Sequence, residues 1–193
     1  MTRFAAALAL ALVVGCATAP PEPAAPAGPK RREYIGFSFD EPSDPRWVFV
    51  AAEEGPSAVV LWRTLDNPAH TFYVRVALGL RDKALDTPEA LLAEMGPKLE
   101  AIPASAKLVS ASVSGLTRQG QLCLRIDRVS SRDPLVTTYH GFYCNHPSDP
   151  RLGIYLIYSQ QGKAADIDPA LDAEGEKFLA GVSIDVRPGV PAH

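Results

Sequence analysis

Three shortages narrow what this 193-residue chain can be: little cysteine, little net charge and no long apolar run. Its 19 basic and 22 acidic residues leave a formal charge of −3 with no long run of either sign. No basic stripe is available to follow a phosphate backbone, which excludes a nucleic-acid partner. The longest apolar run, Phe4 to Val14, has eleven residues. A membrane-spanning helix needs roughly 20, so a retained span is excluded. Three cysteines are too few for a disulfide-dense scaffold, and none stands in a Cys-x-x-Cys pair. The sequence has neither a Gly-x-Ser-x-Gly elbow nor a Ser-x-x-Lys motif, so the common local signatures of nucleophilic hydrolases are missing. What is present, 47% hydrophobic against 21% charged residues, is a composition that folds, and the length suits one domain.

The N-terminus carries the clearest signal. Arg3 precedes the apolar run, which closes on Val13-Val14-Gly15-Cys16. A charged start, a short apolar core and a small residue before the cut form the layout of an export signal. The last four residues resemble the lipobox of bacterial lipoproteins. That resemblance implies a signal peptide over 1–15, a diacylglyceryl thioether on Cys16 and acylation of the amine freed by cleavage. Two or more acyl chains at about 0.8 kcal/mol per buried CH₂ hold a protein stably at a bilayer. The implied location is the bacterial cell envelope, on the outer membrane facing the periplasm in preference to the inner membrane, because Ala17 and not Asp follows the cysteine. Residues 16–32 then form a linker in which prolines alternate with alanines. Such a segment buries no core and favours polyproline II, a semi-rigid spacer that reaches up to about 50 Å.

From Glu33 the patterns are those of a folded domain, extending to residue 187 with a short tail over 188–193. Tyr34 to Phe39 reads as one strand, and Trp47 to Ala51 and Ala58 to Arg63 as two more. Thr71 to Leu78 alternates, with Phe72, Val74, Val76 and Leu78 on one face, the pattern of a half-buried antiparallel strand. The period then changes. Thr87-Pro88 starts a helix near 88–102 with Leu92, Met95, Leu99 and Ile102 as its apolar stripe. Pro97 inside that stripe predicts a kink or break. Strands follow over Lys107–Val113, Gln121–Val129, Leu135–Cys144 and Leu152–Ser159. Asp168-Pro169 starts a C-terminal helix near 169–180 that places Leu171, Phe178, Leu179 and Val182 inward. Strands, helix, strands, helix is the order of an α+β domain with an antiparallel sheet covered by helices.

This order, the opening Tyr34-Ile35-Gly36-Phe37-Ser38-Phe39-Asp40-Glu41-Pro42 with Trp47 after it, and a last helix leading into Phe178-Leu179-Ala180-Gly181-Val182-Ser183 distantly resemble the PsbP/Mog1-like sandwich. The resemblance implies helices covering a central sheet over roughly Tyr34 to Ile184. It implies no catalytic motif, and a fold of this kind fixes no function.

If Cys16 is acylated, Cys123 and Cys144 remain as a pair in an oxidising compartment. A hairpin turning at Asp133-Pro134 sets residues summing to 267 opposite one another, and 123 plus 144 is 267. Cα atoms in such a pair lie about 4.5–5.5 Å apart, within disulfide range. A structural disulfide is therefore expected. His140, Cys144 and His146, with His70 elsewhere, match no familiar zinc spacing, so no metal and no cofactor is read from them. Tyr139, Tyr143, Tyr155 and Tyr158 cluster on two neighbouring strands, with Tyr143 expected near Tyr155 and Tyr139 near Tyr158. They either stabilise the sheet as cross-strand pairs or form a platform for a peptide, glycan or apolar ligand. Pro42-Ser43-Asp44-Pro45-Arg46 recurs as Pro147-Ser148-Asp149-Pro150-Arg151 without similarity in the flanks, which points to shared turn chemistry and not to duplication.

Together these features describe a membrane-anchored envelope lipoprotein with a non-enzymatic binding or scaffolding domain, no catalytic residue, and an envelope protein or glycan as partner. Two other readings stay open. One is a small envelope hydrolase or modifying enzyme, which needs a deep cleft gathering His140 or His146 with a carboxylate or serine. The other is a carrier of an apolar ligand, which needs an enclosed cavity.

Overall fold

A computed structural model describes residues 30–184. The signal peptide, Cys16, most of the linker and the C-terminal tail lie outside the described residues. The elements are β1 (Arg31–Tyr34), β2 (Phe37–Asp40), β3 (Trp47–Phe49), β4 (Ala58–Arg63), β5 (Thr71–Leu80), α1 (Pro88–Glu100), β6 (Lys107–Arg118), β7 (Gln121–Arg132), β8 (Leu135–His146), β9 (Asp149–Lys163), α2 (Pro169–Ala180) and β10 (Ser183–Ile184). Seven strands form an antiparallel sheet in the order β3-β4-β5-β9-β8-β7-β6, and three short ones a second sheet, β1-β2-β10. This is the α+β class expected from the sequence, with a helix on each face of the main sheet.

Alternation along the strands sorts the core into two layers. On one face Val59, Leu61, Phe72, Val74, Val76, Ile154 and Leu156 pack against Leu171 and Leu179 of α2 and against Phe37 and Phe39 of the small sheet. On the other, Leu124, Ile126, Tyr143 and Ile157 pack against Leu91, Met95 and Leu99 of α1. Both helices start as their sequences predict. Thr87 Oγ1 accepts from Ala90 N–H at 3.1 Å and Asp168 Oδ1 from Ala170 N–H at 2.8 Å, each with proline at the first helical position. Caps of this kind contribute about 1 kcal/mol each.

The structure corrects several expectations. Tyr34 to Phe39 is not one strand. Gly36, at φ +80, turns the chain back so that β1 and β2 form a hairpin, and Arg31 and Arg32, read as the end of the linker, are already strand residues. In α1 the buried stripe is Leu91, Met95 and Leu99, spaced by fours, while Leu92 is 40% exposed. The helix passes through Pro97 and ends at Glu100, before Ile102. Pro97 falls in the last turn, where it interrupts the ladder near its end, and its own carbonyl still accepts from Ala101 N–H at 3.1 Å. β8 continues past Cys144 through Asn145 to a buried His146, beyond the end that the sequence pattern assigns to it.

Candidate functional site

Arg63 organises a cleft under α2. It ends β4 on the face that carries Val59 and Leu61, so strand alternation delivers a guanidinium into the layer under α2. Only 8% of the residue is exposed. A buried cation is tolerated when it is paired and hydrogen-bonded. Glu174 of α2 supplies a carboxylate 2.9 Å away and Asp44, in the β2–β3 connection, another at 3.0 Å. Glu174 also accepts from the indole N–H of Trp47 at 2.8 Å. Among the described residues, Nη1 of Arg63 keeps no hydrogen-bond partner although it is buried.

Around this group of charges the aromatic rings of Trp47 and Phe178 stack with centroids 6.0 Å apart. Between α2 and residues 39–47 they line an open cleft of about 520 Å³, with Asp40 and Lys177 also on its walls. Asp44 is locked on a second side. The side chain and backbone N–H of Arg46 hold its carboxyl well below the usual range against a small burial penalty, with Arg63 adding to the effect. The repeated motif makes the same clip. In both copies the arginine backbone N–H meets the aspartate at 2.9 and 2.8 Å, and Nη2 closes the fork at 2.7 and 2.8 Å. Shared turn chemistry accounts for the repeat.

A second polar group lies on the same face of the sheet. His140 Nδ1 is 2.8 Å from Asp127 Oδ1, and Asp127 also accepts a two-pronged hydrogen bond from Arg125. Arg125 continues to Glu176 of α2 at 2.6 Å, and Tyr158 donates its hydroxyl to the same carboxylate at 3.0 Å. Burial works against ionising Asp127, yet Arg125 and His140 still draw its pKa down. For Tyr158, burial and then Glu176 push the phenol well up. A histidine on an aspartate is the core of a general-base dyad. His140 is not in the wall of the Trp47–Phe178 cleft.

The remaining residues singled out by the sequence scatter. Cys123 and Cys144 lie directly opposite in the β7–β8 ladder, Cα atoms 4.0 Å apart, and are joined by a disulfide in the core. His70 contacts Gln160 at 3.0 Å, and His146 contacts Ser148 at 2.7 Å and the Gly36 carbonyl at 3.2 Å. Among the described residues no three His, Cys, Asp or Glu side chains are placed to hold a metal ion, and no helix is long and apolar enough to cross a membrane.

The four tyrosines do not make one platform. Tyr143 and Tyr155 are directly opposite with ring centroids 4.6 Å apart, beside α1 in a cleft of about 420 Å³ that also holds Arg81. Tyr139 lies in a smaller hollow at the far end of α1, under the guanidinium of Arg128 at 4.3 Å. Its register partner is Ser159, while Tyr158 stands opposite His140 on the other face of the sheet. The expected Tyr139–Tyr158 pair is one residue out of register, and one residue reverses the face.

Sequence reasoning missed Arg63, Glu174, Arg125 and Asp127. A signal for the strand residues was present: Arg63 is two residues after Leu61, and Arg125 and Asp127 follow Cys123 at the same spacing, all at inward-facing positions. Ionisable residues at core positions require partners.

No protein-family model matches the chain, and no curated protein matches it. Among solved structures the chain is similar to cyanobacterial PsbP (CyanoP) from Synechocystis sp. PCC 6803, a solution structure, at 13% identity over 86% of this chain and 98% of that one, with a TM-score of 0.46. A likeness of that size brings no residue, ligand or partner with it, and the α+β architecture stands on this chain's own elements.

Proposed function

We propose that this chain is a lipid-anchored protein of the bacterial envelope whose α+β domain binds or scaffolds an envelope protein or glycan and carries out no chemistry of its own. The observation that carries the binding reading is the state of the charges in the Trp47–Phe178 cleft. Arg63 is held between Asp44 and Glu174, and Glu174 also takes the indole N–H of Trp47, so these side chains are committed to one another and the cleft presents aromatic surface edged by fixed polar groups. The location rests on the lipobox resemblance at Cys16, and a core disulfide fits an oxidising compartment.

Two measurements in cells test it. Radiolabelled palmitate should enter the protein and be lost in Cys16→Ala. A photo-crosslinking side chain placed at Lys177 should yield a discrete adduct that Trp47→Ala abolishes. Palmitate incorporation that survives Cys16→Ala overturns the anchor, and a Lys177 adduct indifferent to Trp47 overturns the binding cleft.

The alternative, a small envelope hydrolase, draws on the His140–Asp127 pair, which lies outside the walls of the Trp47–Phe178 cleft. Under that reading, ester or amide substrates turn over and His140→Ala abolishes turnover while the melting temperature holds.

A further inference from the structure

The start of the described chain and the aromatic cleft are neighbours. Glu41 N–H donates to the Lys30 carbonyl at 2.8 Å, and Arg31 pairs with Asp40 in the β1–β2 ladder. Asp40 and Pro42, on either side of Glu41, both belong to the wall of the Trp47–Phe178 cleft. Whatever precedes Lys30 therefore leads to the domain at the margin of that cleft.

What precedes it has a period. Pro20, Pro23, Pro26 and Pro29 recur at every third residue. A polyproline II helix has three residues per turn, so these four prolines would share one edge of it. Grooves lined by aromatic rings take such an edge, because proline rings pack flat on aromatic faces and the helix is already ordered before it binds. The backbone carbonyls of polyproline II make no internal hydrogen bonds and need donors from outside. Donors stand beside the cleft: Arg63, whose buried Nη1 has no hydrogen-bond partner among the described residues, and Lys177 are both among the residues that line it.

We infer that the Trp47–Phe178 cleft is a binding site for a polyproline II segment and that its occupant is this chain's own tether, residues 17–29. Thirteen residues at about 3.1 Å each span about 40 Å, so a turn or two can dock while the remainder reaches the anchor. The inference rests on the binding reading only in using the same cleft, and it needs no partner.

The test is made on the full-length chain as purified from expressing cells, with no partner present. Trp62, which is 45% exposed, is replaced in a Trp62→Phe background so that Trp47 is the sole tryptophan. The comparison is with P20S/P23S/P26S/P29S in the same background, changes that lie outside the folded domain. The intact tether should shift Trp47 emission to the blue and lower its quenching by acrylamide. A synthetic peptide of residues 17–29 should restore both in the serine variant, and Phe178→Ala should abolish the difference. Superimposable spectra with no response to the peptide overturn the site. A difference that grows with protein concentration overturns the assignment to the chain's own tether and gives the cleft to a second copy. Because no partner is present, either failure leaves the crosslinking result at Lys177 standing on its own.

Discussion

The guanidinium of Arg128 donates to the carbonyl oxygen of Leu99 at 2.8 Å, closing the C-terminal turn of α1 from the neighbouring strand β7. It also bonds the Ala101 carbonyl and lies over the ring of Tyr139. One strand side chain thus satisfies an unpaired carbonyl of the last helical turn and that of the residue capping it, and places a cation at the negative pole of the helix dipole. Arg128→Ala should cost about 1–2 kcal/mol, read as a lower urea midpoint at unchanged slope. Arg128→Lys should recover less than half of the loss, because a point charge cannot serve two carbonyls and an aromatic face together.

Gly175 lies in the interior of α2, where exchange to alanine ordinarily gains about 1 kcal/mol from helix propensity. Here a Cβ would come within 2.5 Å of the Tyr158 ring. Gly175→Ala should therefore destabilise by about 1–3 kcal/mol, the cost of overpacking a core. Tyr158→Ala removes the clashing ring, so Gly175→Ala should cost less in that background, and a double-mutant cycle on thermal unfolding will show the two sites to be strongly coupled.

The Cys123–Cys144 disulfide closes a loop with a sequence separation of 21. Loop-closure entropy assigns such a staple about 3 kcal/mol. Denaturant unfolding with and without reductant should differ by that amount, and the Cys123→Ala/Cys144→Ala double variant should lose its sensitivity to reductant.

Glu94 faces Lys98 at 2.5 Å and Lys83 at 3.1 Å, and these two ammonium groups bring its pKa from 4.5 down to about 2. A carboxyl whose pKa is lower in the folded state than in the unfolded chain supports the fold above its unfolded pKa and loses that support as pH falls. The stability gap between the native sequence and Glu94→Gln should be constant above about pH 5 and close between about pH 4.5 and 2. Salt should narrow the gap at neutral pH, since the group is at the surface. Urea titrations across this range at two ionic strengths check both statements.

Legibility differs by region for physical reasons. The β7–β8 register is readable because a tight turn at Asp133-Pro134 fixes the sum of paired residues along the whole ladder, Cys123–Cys144 included. At the next hairpin the ladder is irregular between Asn145 and His146. Counting from Ser148-Asp149 therefore misplaces Tyr139 by one residue and sends Tyr158 to the wrong face. The turn at Gly36 is masked because Ile35, Phe37 and Phe39 alternate like a strand. An isolated glycine in that pattern is itself a sign of a bend or a close approach, and His146 does approach it. The charged residues of the cleft are hidden for another reason. Arg63 and Glu174 are 111 residues apart, and only the packing of α2 on β4 brings them together.

The hairpin that opens the domain has a mechanical consequence. β1 is an edge strand four residues long, bonded to β2 alone within its sheet. Tension on the chain ahead of Arg31 reaches this strand before any other part of the domain. The Lys30 carbonyl on Glu41 N–H stands first in line, then the Arg31–Asp40 pair, then Arg32 with Glu41 and Glu54. Four register pairs hold β1 to β2, and none of them belongs to the seven-stranded sheet that carries the disulfide. The small sheet thus stands between the tether and the disulfide-bonded core, and a pull on the tether would meet these four pairs, about 13 Å of extended chain, first.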